Sequence, residues 1–262
     1  NKEGDLFDPY NGKKDLEDGR IKFIGNADKR IKEDYLRILR YIRFFTNYSK
    51  QKHNLEIIKI IKKNIGGISS LSSERLLDEF KKLTKSSNFI KLFLNNESLE
   101  IIQIIFPQFK NLKDFKKMSQ HTINILSEVD FIFLISLLII DGTDNAEYFL
   151  YKFNISKKDQ KRIRLIDKFY KEKVSMKNFK EENLNKIFYY SGKQCVIDII
   201  IFKLIRLNKF EKKLVNLLKF YNSREIPIMP ISASALMSKY SIPEGKILGK
   251  KLKTIEEMWV QN

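Results

Sequence analysis

The chain has 262 residues, with 50 Lys plus Arg against 32 Asp plus Glu, giving a formal net charge of +18. A single cysteine, Cys195, excludes a disulfide framework or a cysteine zinc site, and two well-separated histidines, His53 and His121, argue against a histidine-rich metal centre. The length allows one or two domains with a real core, and the positive charge points to a polyanionic partner, although a chain crowded with Ile, Asn and Phe also carries some of its lysines as generic surface.

The first residue is Asn rather than Met, and the text begins in mid-element. Residues 1–8 read as a turn leading into a short strand, and Arg20 to Ile24 as a second strand ended by Gly25. From Asn26, which suits an N-cap, the chain reads as almost wholly helical. Between Glu33 and Phe45, apolar residues at 36, 39 and 42, flanked by 38 and 45, recur at helical spacing, which predicts one amphipathic helix. Its polar side carries Asp34, Arg37, Arg40 and Arg43, each three residues after the last. On one helix such a row is about 14 Å long, the reach of an extended nucleotide. A carboxylate at one end and guanidinium groups beyond it suit a ligand with a base and a phosphate tail. The competing reading is a solvated face, with Glu33–Arg37 and Asp34–Arg37 as ordinary helix ion pairs stabilising by about 0.2–0.5 kcal/mol each.

Leu55 to Asn64 predicts a further helix, stopped by Gly66-Gly67. Ser72 reads as the N-cap of the next, with Glu74 in the first turn where the helix dipole favours a carboxylate. Val129 to Ile140 is strongly apolar but too short to span a bilayer, so it reads as a buried helix. Ser156 to Asp159 forms a capping-box-like start to a basic helix through Lys171. On it Lys157, Lys158, Lys161, Arg162 and Arg164 suit either RNA phosphates or plain solvent. Gly192 to Leu207 keeps helical period with Cys195 on a packed side. Pro227 and Pro230 mark a break, after which Pro230-Ile231-Ser232 opens a short helix and residues 242–249 open the last. That last N-terminus, followed by Lys246, Lys250, Lys251 and Lys253, is a candidate phosphate site; alternatively it is a capped helix whose Ile247, Leu252, Ile255 and Trp259 pack inward.

Two motifs carry a resemblance. Asp8-Pro9-Tyr10-Asn11-Gly12-Lys13-Lys14-Asp15-Leu16 and Arg30-Ile31-Lys32-Glu33-Asp34-Tyr35-Leu36-Arg37-Ile38-Leu39-Arg40 resemble, in order and spacing, segments of the bacterial class II tRNA nucleotidyltransferase and poly(A) polymerase family. In that family D-P-x-x-G-x-x-D-L joins a catalytic head to a neck, and E-D-x-x-R-x-x-R lies on a neck helix that reads the incoming nucleotide. The segment from Ser72 to Glu79 is similar to the family's neck as well, in a scaffold role, and residues 230–249 resemble its tail, with Ala233 for one Gly and Glu244-Gly245 in place of a Gly-Pro.

The resemblance implies a mainly α chain of neck, body and tail, with a small β-hairpin remnant of the head at its start: 1–25 head remnant and linker, 26–88 neck, 89–226 helical body, 227–262 tail. It implies CMP and AMP addition to tRNA 3′ ends, with ATP and CTP as substrates, in a cytoplasmic protein without a membrane segment. The catalytic Mg²⁺ would be held by a D-x-D pair in a head this chain lacks, so no catalytic or metal-binding residue is assigned here and the chain reads as the C-terminal part of a longer protein, inactive alone. Asp34 and Arg37 would read the base, Arg40 and Arg43 would add nucleotide contacts, and Asp8, Gly12, Asp15, Arg30, Glu33, Glu74 and Arg75 would support the neck. Lys157, Lys158, Lys161, Arg162, Lys246, Lys250 and Lys251 would hold tRNA. Poly(A) addition, or a non-catalytic helical RNA-binding protein, are the alternatives, and the oligomeric state is undetermined.

The chemistry agrees with that assignment. Cytosine and adenine both place an exocyclic amine donor beside a ring-nitrogen acceptor, whereas an ionised aspartate only accepts and arginine only donates. One Asp–Arg pair therefore satisfies either base, and it rejects uracil and guanine, whose pattern is reversed.

Overall fold

Side-chain caps decide where most of the helices begin. In the computed structural model, which describes residues 7–86, 88–172 and 179–261, the Asp8 carboxylate accepts from the backbone N–H of Gly12 at 2.6 Å and Lys13 at 2.8 Å, closing the first turn of α1 (Gly12–Glu17). Those two N–H donors hold the Asp8 carboxyl below the usual carboxylate range. Asn26 caps α2 (Ala27–Glu33) by accepting from Lys29 N–H, as its position suggested. The chain then breaks before α3 (Arg37–Tyr48). α4 (Leu55–Asn64) begins at the Asn54 cap and ends before the 3-10 turn Ile65–Ser70 that contains the glycine pair. Ser72 caps α5 (Ser73–Thr84).

Further on come α6 (Ile90–Leu94), α7 (Asn96–Ile105) and α8 (Gln120–Leu126). The apolar run forms α9 (Phe131–Ile139), capped by Asp130 and buried along most of its length. Its last carbonyls, which have no partner within the helix, are met from outside: the Asn111 side chain donates to Leu137 and Ile140 oxygens at 2.8 and 2.7 Å, and Asn145 to Ile139 oxygen at 2.7 Å. α10 (Asn145–Lys152) and α11 (Lys157–Lys171) follow, the latter opened by Ser156, whose hydroxyl oxygen accepts from Asp159 N–H at 3.2 Å and whose O–H donates to Asp159 Oδ2 at 2.7 Å. Then come α12 (Glu181–Ser191), α13 (Lys193–Leu207), α14 (Lys212–Ser223), α15 (Ala233–Tyr240, capped by Ser232) and α16 (Lys246–Gln261).

Two units result, residues 1–160 and 161–262. The boundary falls inside the stretch 89–226. In the first unit the core is built on phenylalanines: Phe80 lies 5.2 Å from Phe106 and 4.9 Å from Phe109, and Phe149 stacks on Phe153 at 4.4 Å. His53 belongs to a second buried cluster, sharing hydrogen bonds with Tyr41 Oη (3.1 Å) and Ser98 Oγ (2.8 Å) and stacking on Phe45. Burial lowers its pKa. In the second unit α13 is buried along much of its length and packs against α12 and α14, with Cys195 inside.

Three expectations change. Among the described residues there is no strand: residues 20–24 are irregular, and residues 1–6 of the first expected strand lie outside the described residues. The segment finds other partners: Arg20 N–H donates to Asp15 oxygen, Lys50 N–H to Gly19 oxygen, and Phe23 stacks on Tyr41 at 5.5 Å. The helix expected from Glu33 to Phe45 is two helices, because Asp34 is extended (φ −155, ψ 105) and its Oδ1 accepts from Leu36 N–H at 3.1 Å, a local turn that competes with the helix. On α16 Leu248 is buried and Ile247 exposed, so Leu248, Leu252, Ile255 and Trp259 form the covered stripe. Among the described residues no helix is long and apolar enough to cross a membrane.

A buried ion pair anchors the second unit. Arg162 Nε donates to Asp198 Oδ2 at 2.8 Å and Gln194 to Oδ1 at 2.9 Å, with the Asp198 side chain 2% exposed. Removing one member of such a pair strands the other, at a cost of about 3–5 kcal/mol. Asp198→Ala should therefore lower stability by an amount in that range in denaturant titrations, far more than Asp78→Ala, whose carboxylate is exposed on α5.

Candidate functional site

The site is built where α2 gives way to α3 and α5 lies alongside. Because Asp34 precedes α3, it does not share a helical row with the arginines; the expected Asp34–Arg37 pair is replaced by other partners. Asp34 faces Arg75 of α5, whose Nη2 lies 3.1 and 3.2 Å from the two carboxylate oxygens. Arg37 Nη1 donates to Glu33 Oε2 and to the Arg30 carbonyl, both at 2.6 Å. The Glu33–Arg37 pair is thus present as the helical spacing predicted, and it holds the Glu33 carboxyl below its usual range. Arg30 binds the same Glu33 oxygen.

The arginines further along α3 meet one carboxylate. Arg43 Nε donates to Glu79 Oε1 at 2.6 Å, Arg40 Nε lies 3.9 Å from Oε2, and Glu79 is 2% exposed. Arg75 and Glu79 are four residues apart on α5, so both project from one face of that helix toward α3. The segment from Ser72 to Glu79 is therefore a scaffold of a specific kind: it holds Asp34 by one residue and the arginine row by another. Glu79 escaped the sequence reading as a site residue; the signal was its four-residue offset from Arg75, which puts both side chains on one face of α5.

Exposure separates the roles these groups can take. Asp34–Arg75 is a part-exposed pair, worth no more than about 1 kcal/mol, so a ligand bringing its own donor can displace it cheaply. Arg43 is tied to a buried carboxylate and is a fixed support. Arg40, 45% exposed and only loosely paired, and Arg37, engaged through Nη1, retain donors toward solvent. Tyr35, between Asp34 and Leu36, is packed on the 3-10 turn: a Cβ added at Gly67 would lie 2.1 Å from its ring. Only glycine lets the ring lie there, a constraint absent from the sequence reading.

The remaining assigned residues are dispersed. Asp8 caps α1 over Gly12, and Asp15 pairs with Lys22 at 2.6 Å. Glu74 stands exposed in the first turn of α5. On α11 Lys157, Lys158 and Lys161 are exposed, but Arg162 is spent on Asp198, which corrects its assignment as a phosphate contact. Lys246, Lys250 and Lys251 are exposed on α16.

Comparison with known proteins shows what the chain is similar to. The chain is 28% identical over 261 residues to the mitochondrial CCA tRNA nucleotidyltransferase 1 of Mus musculus, covering 98% of this chain and 58% of that protein. It is 30% identical over 198 residues to the CCA-adding enzyme of Staphylococcus haemolyticus, covering 74% of this chain and 46% of that one. Over nearly its whole length the chain is similar to CCA-adding tRNA nucleotidyltransferases. Its fold matches the CCA-adding enzyme of Bacillus stearothermophilus, solved in complex with CTP, with a TM-score of 0.62 at 14% identity over 97% of this chain and 64% of that one. It also matches that of Thermotoga maritima, solved with tRNA, with a TM-score of 0.60 at 18% identity over 98% and 63%. The chain spans less than two thirds of the length of these relatives. No protein-family model matches it.

Gly67→Ala should force the Tyr35 ring off the 3-10 turn and cost about 1–3 kcal/mol, as overpacking does. If that clash is the cause, adding Gly67→Ala to Tyr35→Ala should cost much less, and thermal unfolding of the two single variants and the double variant measures the difference.

Proposed function

We propose that this chain is the C-terminal portion of an enzyme that completes the C-C-A end of tRNA, and that within it the chain selects the nucleotide and holds the tRNA. The observation that supports this most directly is the strip of Asp34, in the turn before α3, and Arg37 and Arg40 on α3, in a chain similar over nearly its whole length to CCA-adding enzymes. In this reading residues 1–25 link to the catalytic head, 26–88 are the neck, 89–226 the body and 227–262 the tail.

The Asp34 carboxylate accepts the exocyclic amine of cytosine or adenine, exchanging one Arg75 contact for the base, and Arg37 donates to the ring nitrogen. Arg40, in line along α3, meets the sugar or phosphates. Arg43 and Glu79 keep the row in place. Lys157, Lys158, Lys161, Lys246, Lys250 and Lys251 supply the phosphate contacts of tRNA, whose affinity then falls with salt. Nucleotidyl transfer from CTP and ATP calls for Mg²⁺ held by carboxylates. Among the described residues no group of three or more His, Cys, Asp or Glu side chains gathers as a metal site, and in this reading the carboxylates that hold the ion lie in the catalytic head.

Two outcomes test the reading. The 262-residue chain, supplied with Mg²⁺, CTP, ATP and a tRNA ending before C-C-A, should incorporate no nucleotide; robust incorporation would overturn the placement of catalysis elsewhere. In the longer protein, Asp34→Ala and Arg37→Ala should each lower incorporation from CTP and ATP by about ten- to a hundredfold, the cost of an unpaired polar group, while UTP and GTP change little. Discrimination should shrink accordingly, and Arg40→Ala should weaken all four triphosphates more evenly. Unaltered C and A preference in both Asp34→Ala and Arg37→Ala would make the strip a scaffold only.

A further inference from the structure

The second unit contains a cleft of about 210 Å³, formed by α12, the segment after α14 and the end of α16. Phe188 and Val260, both buried, make its base, and Asn185, Tyr189, Arg224 and Trp259 its walls and rim. None of these residues figures in the nucleotide strip or among the lysines assigned to tRNA. We propose that this cleft receives one unstacked base of a bound RNA, an inference that rests on the reading of this chain as one that holds RNA.

The walls have the geometry that a planar heterocycle needs. Tyr189 and Trp259 stand 5.5 Å apart at 75°, so a ring stacked on one meets the edge of the other. Tyr189 is fixed in that position by its hydroxyl, which donates to Glu256 Oε1 at 2.8 Å. The Tyr221 hydroxyl donates to Asn185 Oδ1 at 2.9 Å, which sets the flip of that carboxamide and makes its nitrogen the donor the cleft presents to a base edge. At the rim Arg224 is exposed, with its guanidinium 4.6 Å over the Phe220 ring, where it can meet the adjoining phosphate.

Size and charge choose the occupant. The cleft is smaller than the roughly 300–1,000 Å³ of drug-sized sites and takes one ring system, whereas a base paired within a helix cannot turn into it. Unstacked bases of RNA are held in this way, by aromatic faces and arginine planes, with the backbone on a positive surface. Arg224 supplies positive charge at the rim and the exposed lysines 246, 250, 251 and 253 supply more farther back along α16, against Glu256 and Glu257 beside the aromatic walls.

Trp259 is the only tryptophan, so its emission reports on this cleft alone. The chain is titrated with a single-stranded oligoribonucleotide and with a duplex of equal length at one salt concentration, and bound fraction is followed independently by anisotropy of a labelled strand. The single strand should change Trp259 emission and the duplex should leave it unchanged. Tyr189→Ala should weaken single-strand binding by about five- to a hundredfold, the usual range for one lost base–aromatic stack, while Tyr189→Phe, which keeps the ring but loses the Glu256 hydrogen bond, should weaken it less. Arg224→Ala, a change at an exposed side chain, should weaken it several-fold and carries the test if Tyr189→Ala does not fold. Single-strand binding with Trp259 emission unmoved and both alanine variants unaffected would overturn the base site and leave RNA holding intact. Absence of any RNA binding would overturn both readings, and a response to free CMP or AMP without one to RNA would make the cleft a small-molecule site.

Discussion

A carboxylate at 2% exposure is costly to bury without partners, and Glu79 has them: Arg43 at 2.6 Å, with Arg40 and Lys82 each at 3.9 Å. That constraint fixes the rotation of α3 against α5, because only one face of α3 can bring residues 40 and 43 to the same carboxylate. With the helices so fixed, Arg75, one turn earlier on α5, falls opposite Asp34. The buried clamp at one end thus determines the exposed, exchangeable pair at the other. In the proposed reading, stability and ligand response are separated along this helix pair, the deep contact holding and the shallow one open to exchange.

The break between α2 and α3 serves the same division. Were Asp34 helical, its carboxylate would lie against Arg37 in a local pair worth a few tenths of a kcal/mol. Extended, and held by Leu36 N–H and Arg75, it stands apart from the arginine row. A ligand can then lie between an acceptor and a set of donors, an arrangement that a continuous stripe would have neutralised.

Much of the fold was legible in the sequence, because its signals are local. Asn26, Ser72, Ser156 and Ser232 each cap the helix that their position announced, and the apolar run at 131–139 is buried as its composition required. What periodicity could not convey was competition. The apolar residues at 36, 39 and 42 keep helical phase across the Asp34 turn, so the pattern reads straight through a break that depends on one side-chain hydrogen bond. Arg162 and the lysines beside it look alike in sequence; only the tertiary position of Asp198 separates a core arginine from surface cations. Gly67 likewise reads as a helix stop, and its contact with the Tyr35 ring is a property of the packed state. Of the candidate site, the residue types and their order were visible, and their partners on α5 were not.

The central claim is that Asp34 exchanges its Arg75 contact for a base while the clamp on Glu79 stays closed. A crystal structure of the longer protein with bound CTP tests it most directly. The account predicts the cytosine amine within hydrogen-bond distance of the Asp34 carboxylate, an Arg37 donor at the ring nitrogen, and Arg43 still on Glu79. A CTP base seated elsewhere, with Asp34 and Arg75 paired as in the free chain, would contradict it.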